Sequence, residues 1–465
     1  MTVWLCCTLM SSAADWWPVA MHQPDTARDT ILYGAEISAL ASTGSTAPFW
    51  LHAKENGNIS AAPYSGNITM GIYKPATRPS RWYDYDFAVA LTGRFDTERA
   101  TGYFRQLYAH VRLYIIDITA GIRPMTCGSQ NPSLSTGGLL FSGNAQPIPS
   151  VSIGIDKYTP FPGLFGYLEV KCGMTHGWFV DACQIDTTVA TRNALLHYKF
   201  AGLRVGGSLP INISYEFHHA AQWGGYSPVY GQFATDWTAF SHIFRAASGG
   251  NNLSDQLNAE GNHLGFQELA LTAKWSQWRI TAYWQTIFED KSANFIGRSN
   301  QTDGLWGLSI CQTQWPFIHS LTYEFINTTG QDGPFHDRDG LVYGGRSDYY
   351  NNSSYAQGWT HFGRTIGNPL MSPSNNRVRT HFAGIAGNIY GYEYRLIASY
   401  TRNWGTYRAQ KTSQNTALMI EVKKHVEKAW GLDFGVRLAA DFGSQFGNQF
   451  GALITISKRG IITQW

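Results

Sequence analysis

The chain has 465 residues, of which 14% are charged and another 14% aromatic, the latter as 17 Trp, 25 Tyr and 25 Phe; a typical globular domain carries about 25% charged residues. With 48 Gly, a net charge of only +3 and a mean hydropathy of −0.23, this is not the composition of a cytosolic enzyme. It also excludes disorder, which needs few aromatics, and helical membrane spans, which need about 18 consecutive apolar residues. No block of like charges supports nucleic-acid binding. The class left is all-β, headed by a transmembrane antiparallel β-barrel in the bacterial outer membrane.

In chain order, residues 1–14 (MTVWLCCTLMSSAA) read as a short signal peptide with a small-residue cleavage zone near Ala13–Ala14. They lack a basic n-region, because the first Lys or Arg is Arg28. Residues 15–30 are then an N-terminal periplasmic segment, and 31–465 the barrel. Strands are predicted near 31–41, 48–56, 64–73, 84–95, 105–122, 150–157, 166–181, 195–206 and 209–220. Nine more follow near 263–275, 278–289, 304–313, 317–328, 379–390, 392–404, 416–424, 430–442 and 449–458. Eighteen is the expected number, even as closure requires. Sixteen is the alternative, since the patterning at 31–41, 48–56 and 64–73 is weaker. The run TDWTAFSHIFRAASG breaks the alternation after Asp236 and predicts a short helix within a long external loop.

Alternation with period two is the strand signal. In GLDFGVRLAADF, Leu432, Phe434, Val436, Leu438, Ala440 and Phe442 share one face and Asp433, Arg437 and Asp441 the other. Asp84 and Asp86 oppose Tyr83, Tyr85, Phe87, Val89 and Leu91; Gln106, His110 and Arg112 oppose Leu107, Ala109, Val111, Leu113 and Ile115. A sandwich gives the same alternation with the apolar face inward. Strand length and connection length decide between the two. Several strands exceed ten residues, where globular strands average about five or six. Tight turns at Gly206–Gly207, Ser276–Gln277, Trp315–Pro316 and Tyr390–Gly391 alternate with long polar connections at 221–262, 290–303, 329–378, 405–415 and 443–448. Short periplasmic turns and long external loops are the habit of outer-membrane barrels. Trp278, Trp284, Trp315, Trp404, Trp430 and Trp465 fall near strand ends or the terminus, where interfacial girdles form.

No catalytic motif is present: no G-x-S-x-G, H-E-x-x-H or P-loop. The neighbours Glu289 and Asp290 point to opposite strand faces and do not make a glycosidase pair; Asp84 and Asp86 read as lumenal carboxylates balanced by arginines. His218 and His219 diverge on a strand and lack a third ligand, so no metal is expected, and no cofactor. Cysteines 127, 172, 183 and 311 show no C-x-x-C spacing. A Cys172–Cys183 bridge is compatible with an oxidising periplasm. The sequons at Asn67, Asn212, Asn327 and Asn352 are chance matches in a bacterium. Loops such as AQWGG, DYYNNSSYAQGW and HFGRTIGNP mix aromatic rings with amides and Arg, the side chains that stack on and hydrogen-bond sugars; ordinary loop packing uses the same residues.

SGNAQPIPSVSIGI at 142–155, followed by FPGLFGYLEVKCGMTHGWFVD, resembles the bacterial Wzi-type capsule assembly family. So do YGAEISALASTGSTAPFWLHA, FHHAAQWGG, GNHLG, QTIFEDKS, DGLWGLS, GWTHFGRTIGNPL, NNRVRTHF and YRLIASYTRNWGTY, in order over most of 33–407. The family reads S-G-N-A-R-P-I-P in the first segment, so Gln146 stands for its Arg and removes a charge suited to acidic sugars or a lumenal carboxylate. The resemblance implies an 18-stranded, obstructed outer-membrane barrel that acts as a lectin for capsular polysaccharide and supports its assembly and attachment at the surface. It implies no enzymatic activity, and contact with outer-membrane lipid and the capsule export machinery. Under it, the helix at 236–246 becomes a periplasmic or plugging element. Asn144, Gln146, Trp223, Trp359 and Arg364 are the expected polysaccharide-binding residues, in a monomer. The alternative is an oligosaccharide channel whose open lumen is lined by the faces of Asp84, Arg112, Asp433 and Arg437.

Overall fold

A computed structural model describes residues 29–465 apart from 78–80, 184–185, 187, 251–258, 290–302, 332–335 and 339–340. The signal-peptide and periplasmic-segment expectations for 1–28, and Asp290, lie outside the described residues. Eighteen antiparallel strands close on themselves. They are β1 (Thr30–Ser42), β2 (Tyr64–Lys74), β3 (Tyr83–Asp96), β4 (Ala100–Leu113), β5 (Ile116–Ile122), β6 (Ser150–Pro160), β7 (Leu168–Trp178), β8 (Leu195–Val205) and β9 (Ile211–Trp223). The ring continues with β10 (Asn262–Trp275), β11 (Trp278–Phe288), β12 (Gly304–Gln312), β13 (Ser320–Asn327), β14 (Val378–Ile389), β15 (Tyr392–Gly405), β16 (Gln410–Val426), β17 (Leu432–Phe442) and β18 (Gln449–Gln464). Each pairs with its sequence neighbours, and β18 returns to β1. Closure leaves no strand edge, and so no unpaired backbone row, in the hydrocarbon.

The count of eighteen is right for reasons the sequence pattern did not supply. The predicted strand at 105–122 is two strands, β4 and β5, folded at Tyr114, which takes a positive φ of 55°. The predicted strand at 48–56 is instead a one-turn helix, α1 (Phe49–His52), inside the barrel. The two errors cancel.

Connections at the end where β1 starts and β18 finishes never exceed eight residues. Tyr390–Gly391 is one of these turns. Both residues have positive φ, 53° and 79°, the type I′ geometry whose twist suits a two-residue hairpin. At the opposite end lie the long segments 43–63, 123–149, 179–194, 224–261, 289–303 and 328–377. The loop expected at 405–415 shrinks to 406–409, because β16 extends to Gln410. The short-turn end is the periplasmic one and the long-loop end external.

The wall is apolar outside and polar inside. Ile37, Met70, Leu91, Leu203, Ile213, Leu271, Leu418 and Val436 are exposed, while Thr69, Asp84, Asp86, Glu216, Glu268, Glu324, Glu421 and Asp441 are buried. This inverts a soluble sandwich, and lipid is the solvent that makes it stable: an Arg or Lys at the midplane of the outer face would cost about 2–4 kcal/mol. Trp82, Tyr114, Tyr167, Trp275, Trp315, Tyr390, Trp430 and Trp465, all exposed, ring the periplasmic end. At the external end Trp284 stacks on Trp306, centroids 4.5 Å apart. The protein is an outer-membrane β-barrel. Cys172 and Cys183 are both exposed and free, so the Cys172–Cys183 bridge does not form.

Candidate functional site: a lumen filled by three external loops

Three external loops turn inward rather than outward. The first, 43–63, carries α1, whose Phe49, Trp50 and Leu51 are buried against β16–β18. The Phe49 backbone N–H donates to Asp441 Oδ2 (2.9 Å) and the Trp50 indole to Ser399 Oγ (3.0 Å). A run of three apolar residues after Pro48 carries no alternation, and a helical turn lets all three bury at once.

The second loop, 123–149, crosses the lumen. It leaves the wall between β5 and β6, yet Asn131 Nδ2 reaches Ser320 Oγ at 2.8 Å. Ser320 opens β13, eight strands round a ring of eighteen, close to the full diameter. Lumenal carboxylates pin the crossing. Glu324 accepts from Ser135 Oγ (2.7 Å), Thr136 N (2.6 Å), Thr136 Oγ1 (2.6 Å) and Tyr283 OH (2.6 Å). Glu268 accepts from Ser129 N (3.0 Å), Ser129 Oγ and Gln285 Nε2 (2.7 Å). A buried carboxylate is sustained only by such donors. The loop's own apolar side chains, Leu134, Leu139, Leu140, Phe141 and Ile148, are at most 2% exposed. Burial also pushes the Cys127 thiol up to about 12.

The third loop, 328–377, caps the other two. Trp359 has no exposed surface, and its indole donates to Leu140 O (2.9 Å). Tyr350 OH donates to Leu139 O (2.5 Å), and Asn368 Nδ2 donates to Gly137 O (2.6 Å) and Thr136 Oγ1 (3.1 Å). The lumen of the described barrel is therefore crossed and filled by protein. Asp84, Arg112, Asp433 and Arg437 do face inward, as the alternation predicts, but Arg437 bonds Glu421 (2.6 Å) and Glu55 of the first loop. The open lumen of the channel alternative is not what these loops leave.

Four of the five expected ligand residues meet around one small ribbon, Thr360–His361 with Arg364–Thr365. Asn144 is buried: its Nδ2 donates to Thr365 O (2.9 Å), and its Oδ1 accepts from Lys54 N (3.2 Å). Gln146 is half-buried, with its carbonyl 2.8 Å from His361 Nδ1. Gly57, at φ +66°, lies so close that a Cβ there would sit 2.7 Å from Gln146 Cγ. Arg364 donates to His52 O (2.8 Å) and Ile59 O (2.6 Å). Burial lowers its pKa to about 10, and beside it burial and this guanidinium push the His52 imidazole down to about 3. In this conformation Trp359 and Asn144 spend their surface and polar atoms on the plug. Trp223 lies apart from the other four.

Trp223 stands on the outer wall, under α2 (Trp237–Arg245). Asp236 caps this helix by accepting from Ala239 N at 2.9 Å, and Ala246 ends it in the left-handed conformation. Ala239 and Ile243 pack with Ala221 and Trp223, and His197 meets Phe240 and Phe244. The helix is thus neither periplasmic nor plugging; it lies on the outside of the barrel. His218 and His219 are both buried, on opposite faces of the wall. His218 faces the lumen, bonded to Glu216 and Tyr198, and His219 faces α2, bonded to His263 at 2.9 Å. Sequence reasoning missed the pinning carboxylates Glu268 and Glu324. Their signal was present, as the lone acids of their strands, each at an inward position.

No protein-family model matches the chain, and neither does any curated protein. Solved structures do. The Escherichia coli protein described as Wzi, an outer membrane protein involved in group 1 capsule assembly and a carbohydrate-binding β-barrel, is similar over 91% of this chain and 84% of its own. The TM-score is 0.58 at 12% identity. The likeness is one of fold. Pseudomonas aeruginosa OprD (TM-score 0.48, 11% identity, 94% of this chain and 96% of that one) and OccD3 (0.45, 11%, 94% and 92%) are also similar.

Proposed function

We propose that this protein is a non-enzymatic surface receptor for capsular polysaccharide, holding the polymer at the outside of the outer membrane during capsule assembly. The observation that carries this reading is the plug. Three external loops invest their backbone and apolar residues in closing the lumen, which is the wrong outcome for a diffusion channel. It is a sound one for a rigid external platform, because binding residues held by packed neighbours lose little entropy on meeting ligand. Gln146 and Arg364, both half-buried, gather at the small ribbon whose turn residue Gly363 is exposed. The Wzi structure is described as a carbohydrate-binding barrel of capsule assembly, and the motif resemblance points the same way.

The test is deletion of the gene in an encapsulated strain without a paralogue, followed by staining for retained against released capsule. Release of polymer into the medium, reversed by the wild-type gene, is the expected result; unchanged retention sinks the reading. Planar-bilayer recording separates the alternative: the purified protein is expected to show no stable open state.

A further inference from the structure

One patch of the outer wall carries positive charge that no neighbouring carboxylate among the described residues answers. Arg379 on β14 and Arg402 on β15 stand directly opposite each other in the ladder, exposed on the lipid-facing side near the external end. Like charges placed opposite one another destabilise a strand pair. Their guanidinium carbons lie 5.8 and 5.5 Å from the ring of Trp404, so the pair sits at girdle height, where headgroups are. Arg408 and Lys411, also exposed, flank the adjoining β15–β16 turn. Among the described residues, no carboxylate forms an ion pair with any of these four cations. The polar contact recorded for Arg379 is a 3.4 Å bond to the neutral Asn327.

Directly beneath, the same wall is hollowed. His381 and Tyr400, the next cross-strand pair on this face, mark the lower edge of the polar zone. Ala383, Ala398 and Ala440 then form the floor of an apolar groove of about 750 Å³, flanked by Leu321, Leu396 and Leu438. Ala383 is four residues along β14 from Arg379, so about 13 Å separates cation from groove. That is an anion-binding edge joined to a hydrocarbon slot at membrane depth.

We propose that this wall binds a phosphorylated, multiply acylated glycolipid of the outer leaflet. Its phosphate bridges Arg379 and Arg402, a sugar ring lies against Trp404, and an acyl chain fills the groove. Charge complementarity selects this occupant. A lipid without phosphate leaves the arginine pair repelling, whereas a phosphate monoester, carrying up to two negative charges, accepts from both guanidiniums and converts repulsion into two charge-assisted bonds. The site is independent of the polysaccharide reading, since it faces lipid and uses none of the plug residues.

The test is native mass spectrometry of the full chain in detergent, titrated with diphosphoryl lipid A and with the same lipid dephosphorylated. Wild type is expected to retain the diphosphoryl form at least about tenfold better, the scale of losing charge-assisted bonds. Arg379→Gln with Arg402→Gln should abolish that preference while the barrel keeps its heat-modifiable gel mobility. Ala383→Phe with Ala398→Phe should weaken lipid retention by filling the groove. Equal retention of both lipids by wild type overturns the proposal, whatever the variants do. So does inorganic phosphate competing as strongly as lipid A, which would reduce the site to bare charge. Displacement of the lipid by acidic polysaccharide at the same pair would also overturn it, by assigning the arginines to the glycan.

Discussion

The outer wall over β8–β10 and the outer wall over β13–β17 are built from the same alternating pattern but end differently. Over β13–β17 the outward side chains meet lipid alone, and alternation reads cleanly: Leu418, Ile420, Val436 and Leu438 are exposed, while Met419, Glu421 and Ala439 are buried. Over the external ends of β8–β10, α2 lies on the wall. There the β9 run from His218 to Trp223 is buried on both faces. Period two reports a difference between two environments, and once polypeptide covers the lipid side the difference vanishes. The sequence shows this as a change of chemistry: FHHAAQW carries two histidines, two small alanines and a Trp where the bare wall carries Leu and Ile.

The largest expected effect breaks the lumenal side of this comparison. Replacing Glu324 by Leu leaves the donors of Ser135, Thr136 and Tyr283 without their shared acceptor. Each buried donor left without an acceptor costs about 1–3 kcal/mol. The loop 123–149 should detach and the barrel conduct in planar bilayers; a variant as silent as wild type would show that the carboxylate does not hold the plug. The covered outer wall is next. Ile243, on the wall-facing side of α2, is fully buried, and Ile243→Ala should remove about 2–4 kcal/mol of docking. Limited proteolysis should then cut within 224–261 while conductance stays absent. Conductance appearing in this variant would mean that the outer helix and the inner plug are coupled.

The smallest effect is one of pH. Burial and the neighbouring Arg364 keep His52 neutral down to about pH 3 in the folded chain, whereas an unfolded His titrates near 6.5. Its contribution is therefore complete above pH 6.5 and is lost as pH falls towards 3. By pH 5.5 the loss is about 1.4 kcal/mol. Protease sensitivity of the 43–63 loop should rise between pH 7.5 and 5.5, and His52→Gln should flatten that rise. A variant with an unchanged profile would remove His52 as the cause.

How much of the site was legible follows from the range of the contacts. Inward and outward faces were readable at Asp84, His110, Arg437 and Asp441, because the period is local. The β4–β5 fold at Tyr114 was not, since no Gly or Pro marks it and its positive φ is imposed on a residue that disfavours it. Nor was α1, where Phe49, Trp50 and Leu51 suit a buried strand as well as a buried turn. Trp359 and Asn144 looked like sugar contacts because aromatic and amide side chains serve both sugars and plugs. Their partners in this structure, Leu140 O and Thr365 O, lie in other loops or across the ribbon and leave no local signal.

The sequence alone determined a closed antiparallel barrel in the outer membrane, its orientation and which wall residues meet lipid. Those properties depend on alternation and on neighbouring strands, all within a few tens of residues. Only the tertiary structure decided which loops turn inward, where α2 lies and which charges stay unanswered. Those outcomes rest on pairs such as Asn368 with Thr136 and Trp359 with Leu140, more than 200 positions apart in the chain. They depend on closing long loops whose ends the barrel brings together, and no local pattern records that geometry.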